Sequence, residues 1–122
     1  MSRKLDAAIA RGLDYKDVQC FGVLDNKVKI PPTSDCSYVI ARHKYDVVPH
    51  FSTDGNAMLE LDKEMRERGY CFRHIFVVGS NNFEMTYYSK NDNTFTGEAD
   101  SMPKAVALAA YKALTGKEWQ DD

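Results

Sequence analysis

At 122 residues the chain is long enough to bury one core and short for two, so one surface or site is expected to carry its function. Its 43% hydrophobic and 28% charged content is that of a folded globular protein and excludes intrinsic disorder. A formal net charge of -2 supplies no global positive field for phosphate backbones or anionic lipid, so nucleic-acid binding would need a local basic patch.

The N-terminal stretch MSRKLDAAIARGLDY sets Arg3, Lys4, Asp6 and Arg11 among its apolar residues and has no apolar run of signal-peptide length. No segment approaches the roughly 20 apolar residues of a membrane span. A cytoplasmic protein without a membrane partner is therefore expected. Ser2 is placed to cap a first helix in which Leu5, Ala8, Ile9 and Leu13 recur at helical spacing, with Gly12 and Asp14 marking its end. So short an amphipathic helix must dock to persist.

Residues 18 to 50 carry the weakest pattern, with VQCFGVL and YVIA as the strand-like runs. Pro31 and Pro32 break KVKIPPTSDCS into a loop, because neither can donate a ladder hydrogen bond. The stretch reads as a variable insertion within a single domain spanning 1–122, and as a natural place for a functional surface. The cysteines Cys20, Cys36 and Cys71 are odd in number and far apart, the pattern of buried reduced thiols.

From Ser52 the periodicity sharpens. Ser52, Thr53 or Asp54 is positioned to cap a helix whose Met58, Leu61 and Met65 share one face, and Gly69 supplies a left-handed stop. Asp62 with Arg66 and Glu64 with Arg68 form i,i+4 pairs expected on the solvated side. The run YCFRHIFVVG at 70–79 predicts a strand, and Ser80, Asn81 and Asn82 a turn. Phe83, Met85 and Tyr87 then alternate with Glu84, Thr86 and Tyr88, the period of a strand with one face on a core. After a turn at Lys90 to Asn93, Phe95 and Ala99 alternate with Thr94, Thr96 and Glu98, and Gly97 is a candidate bulge. Ser101 caps a final helix with Pro103 in its first turn and Gly116 after its end. Val106, Ala109, Ala110, Ala113 and Leu114 give that helix a narrow stripe of small side chains suited to lying close on a sheet. The order over 52–116 is α-β-β-β-α, an α+β arrangement with an antiparallel sheet.

Three blocks, LDAAIARGLDYKDV, HFSTDGNAMLELDKEMRERGY and EADSMPKAVALAAYKALTG, together resemble the phage ABA-sandwich family of small phage and prophage proteins. The resemblance implies an alpha-beta-alpha layered sandwich and a phage or prophage origin in a bacterial host's cytoplasm. That family brings no catalytic residues to transfer. The last block also resembles the final helix of double-stranded-RNA-binding domains, which share the α-β-β-β-α order and gather several lysines at that helix's start to meet phosphates. Here Lys104 stands alone beside Glu98 and Asp100, which disfavours a nucleic-acid partner.

His43, His50 and His74 with Cys36 can be strung into a metal-ligand set, but lack the close ligand pairs of structural zinc sites, so no metal and no cofactor are expected. No nucleophile elbow, phosphate loop or dinucleotide fingerprint is present, and no acid/base pair stands out, which argues against an enzyme. The expected function is a non-enzymatic accessory protein that binds a host or phage protein or its own copies. An alternative is sequestration of a small anionic ligand such as a nucleotide, since Arg42, His43 and Lys44 shortly precede the Ser52 to Asn56 helix start, with His50 and Thr53 as further candidate ligand-binding residues. Tyr88, on the polar register of its strand, is the aromatic placed to stack on a ligand or partner.

Overall fold

The computed structural model describes residues 3–15, 18–24, 27–29, 38–41, 46–78, 82–91 and 93–120. The chain is α+β, with elements in the order α1 (Lys4–Gly12), β1 (Gln19–Leu24), β2 (Lys27–Lys29), β3 (Tyr38–Ala41), β4 (Asp46–Val47), α2 (Gly55–Glu67), β5 (Cys71–Val78), β6 (Asn82–Tyr88), β7 (Thr94–Ala99) and α3 (Met102–Thr115). Contacts group them into two compact units, Met1–Pro49 and His50–Asp122. The first holds α1 together with most of the stretch that reads as an insertion.

In the first unit β1 pairs antiparallel with both β2 and β3, and β3 with β4. Lys27–Lys29, expected to open a loop, is strand β2, paired through Val23 and Val28. Pro31, Pro32 and Cys36 lie outside the described residues. Helix α1 buries Leu5, Ala7, Ile9 and Ala10, with Leu13 and Val48 also buried. Arg3, and not Ser2, occupies the position before its first turn, and it provides no side-chain cap. The guanidinium is committed elsewhere: its Nε donates to Asp6 Oδ2 at 3.1 Å, and one Nη donates to the carbonyls of Val48 and, at 2.8 Å, Pro49. Both members of this ion pair are buried, Arg3 at 5% exposure and Asp6 at 1%. A charge pair out of water is held by the acceptors its donors find: the two carbonyls serve one Nη, while the other Nη is buried with no hydrogen-bond partner among the described residues.

In the second unit Asp54 is the residue that caps α2, its carboxylate accepting from the Asn56 N–H at 3.3 Å. Ala57, Leu61 and Met65 are buried, while Met58 stays half-buried at the edge of that face. The helix ends at Arg68, and Gly69 takes the left-handed conformation with φ 93°. Strands β5, β6 and β7 pair antiparallel in that order.

The register fixes the faces of this sheet. Phe83 lies opposite Ala99, Met85 opposite Gly97 and Tyr87 opposite Phe95, so these six share one face. Tyr87 reaches α2 through its hydroxyl, and Gly97 lies directly under α3, so both helices cover that same face. On the opposite face the Thr86 and Thr96 hydroxyls meet at 3.0 Å across the strands. Gly97 is not a bulge, because its pairing is unbroken. It is a glycine because a Cβ there would run into the Ala105 carbonyl oxygen and fall 2.5 Å from the Ala109 nitrogen. The register shift in this sheet lies instead between Phe72 and His74.

Helix α3 starts with Ser101 Oγ accepting from the Lys104 N–H at 3.4 Å and stops at Gly116 with φ 72°. Its buried surface is wider than a narrow stripe: Ala105 and Ala107 join Val106, Ala109, Ala110 and Ala113, while Leu114 is only half-buried. Six short side chains let neighbouring backbone come close around more than half the circumference. Beyond the stop, Trp119 folds back to set its ring edge-on to Tyr111 at 5.1 Å.

Candidate functional site

Helix periodicity sends Ala57, Leu61 and Met65 into the core and leaves Leu59, Asp62, Lys63 and Arg66 stacked at i, i+3, i+4 and i+7 on the outer ridge of α2. Leu59 is 61% exposed, the one exposed large apolar side chain among the described residues. Beside this ridge a groove opens over β6, between α2 and the first turns of α3. Met58, Leu59, Asp62 and Arg66 line it from α2, Met85 from the sheet, and Met102 and Val106 from α3. Its volume is about 170 Å³ and its walls are predominantly apolar. An apolar cavity of about 150 Å³ holds a benzene-sized molecule, so the space suits one aliphatic or aromatic side chain. Three of the lining residues are methionines, whose unbranched thioethers adapt to differently shaped guests.

A hydrogen-bonded chain holds one wall in place. Tyr87, fully buried, donates its hydroxyl to Asp62 Oδ1 at 2.8 Å, and Arg66 Nε donates to Asp62 Oδ2 at 2.8 Å. Burial first, and the bond to the Asp62 carboxylate second, push the Tyr87 hydroxyl far above the ordinary tyrosine value. The same carboxylate raises the Arg66 guanidinium. Asp62 therefore belongs only in part to the solvated face its spacing predicts: one oxygen serves the surface pair and the other serves the core. A linear pattern shows the first partner, four residues away, and not the second.

Of the candidate binding residues singled out from the sequence, His50, Thr53 and Tyr88 are described, and none of these three lines the groove. His50 and Thr53 are exposed in the turn before α2, where the His50 carbonyl accepts from the N–H groups of Thr53 and Asp54. The Asp54 carboxylate at that helix start places negative charge where an anion would have to sit. Arg42, His43 and Lys44 lie outside the described residues. Tyr88 is half-buried on the face of the sheet away from both helices. Cys71 is exposed with a free thiol, against the expectation of burial. No cluster of three metal-ligating side chains occurs among the described residues, and no helix among them is long and apolar enough to cross a membrane. A second concavity, of about 380 Å³ and more polar, lies between the end of α2 and the β6–β7 turn, with Glu67, Arg68, Tyr70, Ser89, Lys90 and Asn91 in its wall.

The groove residues come from positions 58–66, 85, 102 and 106, which no sequence motif joins. Spacing places Met58 toward the buried face of α2, and only the fold brings Met85 and Met102 to it. Comparison of the chain with protein-family models, curated proteins and solved structures returns no match, so the groove's chemistry stands on its own geometry.

Proposed function

We propose that this chain is a non-enzymatic phage or prophage accessory protein, working in the cytoplasm of a bacterial host, that binds a protein through the groove between α2 and α3. The observation that carries the reading is a methionine-lined apolar groove with a bare leucine on its lip. Buried apolar contact in such a site supplies affinity, and the Asp62–Arg66 pair on its rim supplies orientation. The phage origin and the alpha-beta-alpha layered sandwich rest on the three sequence blocks. The test uses protein carrying labelled methionine methyls, titrated at high dilution with a panel of amphipathic helical peptides bearing a leucine or phenylalanine anchor. Saturable shifts of Met58, Met85 and Met102 are expected. A panel that leaves all three unmoved would sink the reading.

A specific observation also supports the anionic-ligand alternative, at a different place from the helix start. Arg68 and Lys90 reach one concavity from two separate elements, with Ser89 and Asn91 as hydroxyl and amide donors between them. Thermal-shift measurements against nucleotides, comparing wild type with Lys90→Glu, test it: equal midpoints with and without ligand exclude this site. Double-stranded RNA is the weakest reading, since Lys104 is flanked by exposed Glu98 and Asp100. A mobility shift absent at low salt is the expected outcome.

A further inference from the structure

We draw no further inference here: the strongest candidate, the apolar groove between α2 and the first turns of α3, belongs to the site already described, and nothing in the structure shows what covers it.

Discussion

Tyr87 ties the sheet to α2 through one hydroxyl, and the acid receiving it faces the solvent on its other side. Replacing Tyr87 with Phe removes a hydrogen bond to a charged group and should cost about 2 kcal/mol in denaturant unfolding. The bond also leaves a pH signature. The Tyr87 hydroxyl in the folded state is raised above the ordinary 10.0, so its contribution is complete below pH 10. Above that the unfolded chain ionises first, and the contribution fades as pH climbs toward the folded value. The stability difference between wild type and Tyr87→Phe should therefore be constant through neutral pH and shrink above 10; a difference unchanged into strong alkali would contradict the bond. Gly97→Ala should be among the most damaging substitutions in the chain, about 3 kcal/mol or more, because the atom in the way is helix backbone and not a movable side-chain tip. In the first unit, Asp6→Ala strands the Arg3 charge out of water and should cost about 3 kcal/mol by the same unfolding measurement. Asp62 and Gly97 share a reason for being misread from sequence, and Arg3 a reason for giving no signal there. Each looks like a local feature, a surface pair, a bulge or a charged terminus, and each is set by atoms far away in the chain: Tyr87, Ala105 and Val48.

Helix α3 was legible at both ends because its punctuation is local chemistry. Ser101 satisfies an N–H three residues on, Pro103 loses nothing in the first turn, and Gly116 adopts the left-handed stop. Ser101→Ala is expected to cost about 1 kcal/mol and Gly116→Ala about 1 kcal/mol, measured as shifts in the denaturation midpoint without change of slope. The width of its buried surface was not legible. Alanine takes either side of a helix equally well, so Ala105 and Ala107 gave no periodic signal, and burial on both flanks became visible only against the sheet. Helix α2 shows the opposite case. Leu61 and Met65 of the expected face are buried, with Ala57 buried where Met58 was expected and Met58 only half-buried, and the choice among Ser52, Thr53 and Asp54 fell to Asp54, whose carboxylate meets the Asn56 N–H.

The two compact units divide the molecule at Pro49 and His50. The groove belongs wholly to the second, since all its lining residues lie between Met58 and Val106. Residues 50–122 expressed alone should therefore unfold in one cooperative transition and retain the peptide-induced methionine shifts; a non-cooperative melt would show that the first unit is required to complete the fold. The sequence conveys the class of the second unit well because its periods switch cleanly from helix to strand and back. It conveys the groove poorly, since a recess is a property of spacing between elements, and its walls are ordinary core-type residues until the space between them is known.

Gly97 also implies an order of events during folding. Strand β7 alternates faces every residue, so only one alignment with β6 puts its sole hydrogen-sized side chain under the Ala105–Ala109 backbone. Slipped by two residues, β7 would offer Phe95 or Ala99 at that spot, and α3 could not settle. The helix thus acts as a proofreader of the hairpin before it. Closure of the final helix is conditional on correct zipping of two strands, and misaligned chains are left open to try again rather than sealed into a wrong pairing.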